Sequence, residues 1–414
     1  MSYDVAVIGC GRVGLPLALA FADQGLRTLG VESDADRLSA VTERRMPFEE
    51  PGADEVLARV DIDWSARAAD AAQADAIVLT LGTPSFSHIE IDMRDIRSVL
   101  DDLLPVLRPG HLLVLRSTIA PRTTEFVAGY IEKHLDLEVG RDVFVAHVPE
   151  RIAAGRFFEE IGSLPCIVGG VGEASGAAAG ALFEPLGAPI VQTTPIEAEL
   201  AKIWTNILRY AMFALPNRLM MECEQYDANV FEVIELINRD YPRGGMPQPG
   251  FTAGTCLRKD FTFSEERSPA PGMLLAVSRV HESVPLFIVE GLKRRLGPLR
   301  GRKVAVLGLA FKADTDDERD SLAHKLIRLL ERELADVAVH DPHVATPTQS
   351  FEDAVLDADA VVIATNHSEF RDRQVLAAIA DSAKSDAVLA DPWDCWGIGQ
   401  VFAFAAEAVA LSHA

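Results

Sequence analysis

Asp4-Val-Ala-Val-Ile-Gly-Cys-Gly-Arg-Val-Gly14 decides the fold of the first part of this chain. A short apolar run ends in a G-x-G-x-x-G, Gly9 to Gly14, and Leu15 to Asp23 then reads as a helix. A glycine motif between a buried strand and a helix is the context in which such a motif binds a dinucleotide. The glycines permit a tight turn and bring the backbone close to a pyrophosphate at the helix N-terminus. A second strand, Arg27 to Val31, ends at Glu32. An acid there accepts hydrogen bonds from ribose hydroxyls and repels a 2′-phosphate, so NAD is expected rather than NADP, although Arg37 lies close by.

Working outward, further strands are expected at Ala76–Leu81, Leu112–Arg116, Val143–His147 and Cys166–Gly169, with helical stretches between several of them. Alternating strands and helices predict a parallel, doubly wound sheet. The pattern changes near Pro195. From Ile196 to about Asn238 the apolar residues Ile196, Leu200, Ile203, Ile207 and Tyr210 recur at helical spacing, and Pro216 is expected to kink or break that helix. A second helical block is expected from about Pro271 to Leu296. Val304 to Leu309 then resembles a second start of the first kind, with strands at Val337–His340, Ala360–Ala364 and Ala387–Leu389, and a packed helix over Val401 to Leu411. The expected architecture is α/β: two Rossmann-like doubly wound domains joined by a long helical connector. The boundaries are residues 1–195, 196–298 and 299–414.

The chain has 414 residues, which at roughly 100–200 per domain allows two to four domains. A net charge of -23 argues against a nucleic-acid binder, which would be basic. The five cysteines, Cys10, Cys166, Cys223, Cys256 and Cys395, are widely spaced and form no C-x-x-C, so a reducing cytoplasm is the expected compartment. Asp4 and the strand after it leave no room for a signal peptide, and no run of about 18 apolar residues suggests a membrane span. No histidine spacing suits a metal site or a triad, so no metal is expected.

Several residues fall where an α/β sheet binds ligands. Thr83, Thr118 (in Ser117-Thr118) and Glu150 (in Pro149-Glu150-Arg151) each follow an apolar strand, at the carboxyl edge. Each also suits a plain turn or a solvated surface. Lys202 and Asn206 are one helical turn apart and share a face that could hold an oxyanion, or could simply be solvated. Cys256 lies in Pro249-Gly-Phe-Thr-Ala-Gly-Thr-Cys-Leu-Arg-Lys-Asp260, where Gly250 and Gly254 let the backbone turn sharply. Such a thiol is either a nucleophile or a buried structural cysteine. Reactivity needs nearby cations, and Lys202, Arg258 and Lys259 are candidates.

These motifs, taken in order, resemble the UDP-glucose/GDP-mannose dehydrogenase family over nearly the whole chain. The resemblance runs through Gly9–Ala18, Gly82-Thr83-Pro84, Ser117-Thr118 with Thr123-Thr124-Glu125, Pro149-Glu150-Arg151, Glu199–Asn206, Gly250–Asp260 and Gly308–Arg319. It implies NAD-dependent four-electron oxidation of C6 of a UDP-sugar to the uronic acid, for glycan biosynthesis, by a homodimer or higher homo-oligomer. Cys256 then forms a thiohemiacetal and a thioester, with Lys202, Asn206, Asp260, Glu150 and Thr118 catalytic. The cofactor residues are Gly9, Gly11, Arg12, Val13, Gly14, Glu32, Arg37, Thr83, Thr118 and Lys259. The sugar nucleotide is expected at Glu150, Arg151, Lys202, Asn206, Arg243, Phe251, Gly254, Lys312 and Arg319. Pro149-Glu-Arg-Ile-Ala-Ala-Gly155 is more similar to N-acetylhexosamine dehydrogenases of this family, whereas Lys259 is more similar to its UDP-glucose dehydrogenases. Two other readings remain: a two-electron hydroxyacid-type dehydrogenase in which Cys256 is structural, and a non-catalytic nucleotide-sugar sensor.

Overall fold

A computed structural model describes residues 3–82, 94–252, 254–265, 268 and 271–412. The described residues of Met1–Thr205 and Thr262–Arg267 form one compact unit, and those of Asn206–Phe261 and Ser268–Ala414 form a second.

The first unit is built on β1 (Tyr3–Ile8), β2 (Thr28–Val31), β3 (Ile62–Ser65), β4 (Ala74–Leu79), β5 (Leu112–Leu115), β6 (Phe144–His147), β7 (Cys166–Gly170) and β8 (Ile190–Thr193). Their spatial order is β3-β2-β1-β4-β5-β6-β7-β8, so the chain winds out to β3 and returns beside β1, the doubly wound order. The strands run parallel except where β7 meets β6 antiparallel. A parallel sheet is covered on both faces, which explains why its strands are apolar throughout rather than alternating. In β1, Ala6 and Ile8 enter one core while Val5 and Val7 enter the other. β3 and β8 escape sequence reading because Asp63 and Gln192 interrupt short edge runs.

The second unit repeats the plan in β9 (Lys303–Leu307), β10 (Asp336–His340), β11 (Ala360–Ile363), β12 (Val388–Ala390) and β13 (Phe402–Phe404), ordered β10-β9-β11-β12-β13. Val304 and Val306 face a core shared with helical residues Met220, Val230, Ile288 and Leu292, whereas Ala305 and Leu307 face the opposite core.

The main helices are α1 (Gly14–Asp23), α2 (Thr123–His134), α3 (Pro195–Cys223), α4 (Val230–Asn238), α5 (Thr255–Glu265), α6 (Met273–Leu296) and α7 (Ala405–Leu411). Two expectations need correction. Pro216 does not break the connector, because α3 runs through it for 29 residues. The C-terminal stretch is not all helix: Phe402–Phe404 pairs antiparallel with β12, and helix begins only at Ala405. No helix among the described residues is long and apolar enough to cross a membrane.

Candidate functional site

The glycine turn has the geometry that its sequence requires. Gly9 has φ +91°, and a Cβ on Gly14 would lie 2.2 Å from the Gly9 carbonyl oxygen. Gly9 therefore makes the turn, and Gly14 lets α1 pack against it. A Cβ on Gly11 would meet only the Arg37 guanidinium, at 3.9 Å, leaving an open cradle. Arg12 stacks over Phe48, 5.0 Å from the ring centroid, and Val13 is the residue before α1. Glu32 is 4% exposed at the end of β2. Its Oε1 accepts the Asp34 N–H at 2.9 Å, and its Oε2 lies 3.5 Å from Arg37 Nη1. That Oε2 is buried with no hydrogen-bond donor among the described residues, an acceptor suited to a ribose hydroxyl. The residues present thus fit NAD. Thr83 lies outside the described residues.

Along the same carboxyl edge, Thr118 follows β5 and Glu150 follows β6. Glu150 is tied on both oxygens: Oε2 accepts from Arg116 Nη2 at 2.6 Å, and Oε1 accepts the Ile152 N–H at 2.7 Å. Arg116 is 4% exposed, donates also to the Val148 and Pro149 carbonyls, and stacks over Phe183. Sequence reading missed Arg116; its one available signal was a charged residue ending an apolar strand. The neighbouring Arg151 instead donates to the Pro165 carbonyl.

His147, at the end of β6, is fully buried. Its Nδ1 lies 2.9 Å from the Leu115 carbonyl, which only a protonated nitrogen can satisfy. Burial pushes its pKa down to about 3, and the Arg116 and Lys202 cations add to the fall. Lys202 therefore stands near a neutral imidazole, itself only 9% exposed. One turn earlier on α3, Glu199 accepts the Arg122 N–H at 2.6 Å and the Thr124 N–H and hydroxyl at 2.8 and 2.6 Å. It caps α2 and fixes the loop that carries Thr118. Burial pushes the Glu199 carboxyl up in spite of those bonds.

In the second unit, Asn206 Nδ2 donates to Asp260 Oδ2 at 2.5 Å, and Lys259 Nζ lies 3.8 Å from Asp260 Oδ1. Asp260 is completely buried, whereas Cys256, one turn before it on α5, is exposed. Cys256 is therefore not a buried thiol. Cys256 stands in the first turn of an 11-residue helix, whose unsatisfied N–H groups favour a thiolate. Of its candidate cations, Arg258 pairs with Glu282 at 2.6 Å and Asp320 at 3.7 Å. Arg319 fits better. Hydrogen bonds to Asp317 push its pKa up, and the Cys256 sulfur adds to the effect. Phe251 is buried in the loop before α5, and Gly254 (φ +96°) packs against the Phe311 ring beside Lys312. Arg243 lies on the surface after α4, with its guanidinium over the Tyr241 ring.

Asp314, His343 and His367 converge closely enough to suggest a cation site. Both His367 nitrogens are already used: Nδ1 accepts the Asp314 N–H at 3.0 Å, and Nε2 faces Asp341 at 3.1 Å. Asp341 also accepts the Leu309 and Ala310 N–H groups. His367 and these N–H groups hold its carboxyl well below the usual range, against the upward push of burial.

Comparison with known proteins covers most of the chain. Residues 3–187 match the NAD binding domain of the UDP-glucose/GDP-mannose dehydrogenase family, residues 196–281 its central domain and residues 305–397 its UDP binding domain. The UDP-N-acetyl-D-mannosamine dehydrogenase of Pyrococcus horikoshii is 32% identical over 378 residues, covering 89% of this chain and 90% of that protein. The NDP-N-acetyl-D-galactosaminuronic acid dehydrogenase of Ralstonia solanacearum is 30% identical, covering 89% and 91%. The native structure of the UDP-N-acetyl-mannosamine dehydrogenase from Staphylococcus aureus superposes with a TM-score of 0.83 at 30% identity, covering 95% of each chain. The open cradle at Gly11 and the buried acceptor at Glu32 thus lie in a matched NAD domain, and the chain belongs to the UDP-glucose/GDP-mannose dehydrogenase family, as an NAD-dependent oxidoreductase of UDP-sugars.

Proposed function

We propose that this chain oxidises C6 of a UDP-N-acetylhexosamine to the carboxylate in two successive two-electron steps, with Cys256 as covalent catalyst. The observation that carries this reading is the place of Cys256: an exposed thiol in the first turn of α5, within the electrostatic reach of Arg319. NAD, when bound, accepts the hydride in each oxidation. Between the two, the Cys256 thiolate adds to the aldehyde carbon and forms a C–S bond, so the aldehyde stays attached. Oxidation of that thiohemiacetal leaves a thioester, and water cleaves the C–S bond to release the carboxylate and the thiolate.

Lys202 and Asn206 are the N–H donors suited to the developing oxyanion, a contribution of about 3 kcal/mol per donor in other enzymes. Asp260, Glu150 and Thr118 are the acceptors suited to holding the hydrolytic water and taking its proton. Lys312, Arg319, Arg243, Arg151, Phe251 and Gly254 are assigned to the sugar nucleotide, and residues 299–414 to the domain that binds it. Gly9, Gly11, Arg12, Val13, Gly14, Glu32, Arg37, Thr83 and Lys259 are assigned to NAD. The N-acetylhexosamine is favoured by the Pro149–Gly155 motif and by relatives named for UDP-N-acetyl-D-mannosamine and N-acetyl-D-galactosaminuronic acid.

The working state is a homodimer in the cytoplasm. Leu200, Trp204, Leu208, Met212 and Leu215 make an exposed apolar stripe at helical spacing on α3, a face suited to a second copy.

The test is the NADH yield per sugar. Two NADH per UDP-N-acetylhexosamine, falling to one or none in Cys256→Ala, is expected. One NADH in the unsubstituted protein would support the two-electron reading, and binding without NADH would support the sensor. UDP-glucose oxidised in preference to UDP-ManNAc, UDP-GlcNAc and UDP-GalNAc would reverse the sugar assignment.

A further inference from the structure

The reading of Cys256 as nucleophile leaves open what fixes its loop. The segment before α5 turns at Gly250, whose φ of +151° disfavours any side chain. Both backbone groups of Gly250 are held by one side chain. Asn217 Oδ1 accepts the Gly250 N–H at 2.8 Å, and Asn217 Nδ2 donates to the Gly250 carbonyl at 2.9 Å. That carbonyl also accepts the Thr252 N–H at 3.0 Å, which bends the loop at this point.

Asn217 lies on α3 and is completely buried. Its second amide N–H points at His281 Nδ1, at 3.3 Å, and His281 Nε2 lies 2.8 Å from the Tyr210 carbonyl. A carbonyl accepts only from a protonated nitrogen, so Nε2 carries the proton and Nδ1 is the acceptor. The tautomer of His281 thereby fixes which way the Asn217 amide faces. The Tyr210 carbonyl, both His281 nitrogens, the Asn217 amide and both Gly250 backbone groups are thus all paired, and buried groups paired in this way are held rigidly.

Trp393 completes the hold. A Cβ on Gly250 would lie 2.3 Å from the indole ring, so the ring rests on bare backbone. Trp393 is fixed in turn by Asp391, which accepts its N–H at 3.0 Å, and by the Ala364 carbonyl 3.4 Å from the indole nitrogen. At the other end of the loop, Gly254 packs against Phe311, and its carbonyl accepts the Arg258 N–H that starts α5.

We propose that Asn217 and Trp393 are positioning residues for the covalent step: by clamping Gly250 they set the approach of the Cys256 sulfur to the aldehyde carbon. The inference rests on Cys256 being the nucleophile. Its chemical basis is that a displacement of about 1 Å in a reacting group costs on the order of a hundredfold in rate. The first oxidation does not use the sulfur, so the two oxidations should respond differently.

Asn217→Asp keeps the acceptor for the Gly250 N–H and loses both donated bonds. Trp393→Leu keeps an apolar contact and loses the ring, and stands in if Asn217→Asp fails to fold. Each variant is given the UDP-sugar alcohol with hydroxylamine as aldehyde trap, and separately the C6 aldehyde. Oxidation of the supplied aldehyde and alkylation of Cys256 by iodoacetamide should slow at least about tenfold, while trapped first-step turnover stays within about threefold. Equal losses in both steps, tracking a lower melting temperature, would mean a merely structural role and overturn the inference, as would unchanged aldehyde oxidation. Cys256→Ala separates the two ideas. Continued four-electron turnover in that variant sinks the nucleophile itself, whatever the clamp variants do. A halt at the aldehyde, with an unimpaired second step in Asn217→Asp, sinks only the clamp.

Discussion

Asn206 donates its amide N–H to Asp260 at 2.5 Å, and both side chains are buried. The bond joins α3 to α5 four residues beyond the thiol. It leaves the carboxylate of Asp260 oriented by a neutral donor. Asp260→Asn would keep the shape and remove the proton acceptor. Thioester hydrolysis should fall by roughly 10²–10⁴. The expected record is a burst of NADH stoichiometric with enzyme, and a mass increase on Cys256 after quenching. A steady rate with no burst and no adduct would place Asp260 outside the hydrolytic step.

The Arg116–Glu150 pair is a second fixed relationship, with both groups largely removed from water. Removing one partner of such a pair leaves an uncompensated charge and typically costs about 3–5 kcal/mol. Arg116→Met should therefore destabilise the fold by about that amount in urea denaturation, and adding Glu150→Gln should return part of it. If the single and double variants were equally unstable, packing of Arg116 on Phe183 rather than its charge would be responsible.

Glu32 and Arg37 are the residues proposed to govern the choice of dinucleotide. In Glu32→Ala the acidic repulsion disappears and Arg37 loses the carboxylate 3.5 Å away. Use of NADP relative to NAD, as a ratio of kcat/KM, should rise at least about tenfold. An unchanged ratio would mean that the Glu32 carboxylate does not meet the ribose.

Two buried histidines set an acid limit. Burial lowers His281 to about 4 and His147 to about 3, against about 6.5 in the unfolded chain. Above pH 6.5 both states are neutral and neither histidine contributes. As pH falls from 6.5 toward 4 the unfolded chain takes up protons that the folded chain refuses, so stability drops, and for His281 it levels off below about 4. Between pH 7 and 5 the loss is about 2 kcal/mol for each histidine. Buried Asp391, raised to about 7, gains stability over the same interval and offsets part of this loss, so the histidine contribution is read by difference: the change in denaturation midpoint between pH 7 and 5 should be less destabilising in His281→Gln than in the unsubstituted protein. The same change in both proteins would contradict the neutral assignment of His281.

The α3 stripe is open to a simpler test. Leu208→Glu places a charge on the exposed apolar face and should shift the sedimentation coefficient toward that of a monomer. An unaltered coefficient would locate the subunit contact elsewhere.

Local sequence was enough for Gly9, Gly14 and Glu32, because each meets its constraint within one β-turn-α unit and that constraint is written into nearby residue types. It was also enough to place Lys202 and Asn206 on one helix. It was not enough for Arg116, whose partner lies 34 residues away, or for Asn217, whose partner lies 33 away. A buried amide and a buried guanidinium look like surface residues until the fold brings their acceptors to them. The same limit hid Arg319 from a local reading of the cations around Cys256. Arg258 is near it in sequence but committed to Glu282, while Arg319 comes from a distant turn. Pro216 misled for a different reason: α3 absorbs a missing N–H that a shorter helix would not.

That unbroken helix acts as a ruler with two pegs. Asn206 holds α5 and Asn217 holds the loop ahead of it, and 11 residues separate them. Eleven residues make just over three whole turns, so both pegs project from one face about 16 Å apart. The spacing is quantised. Adding or deleting one residue between them would swing one peg about 100° away from its hole and leave no side-chain choice that could restore it. Between positions 206 and 217, then, a change in residue type should be tolerated far better than a change in length.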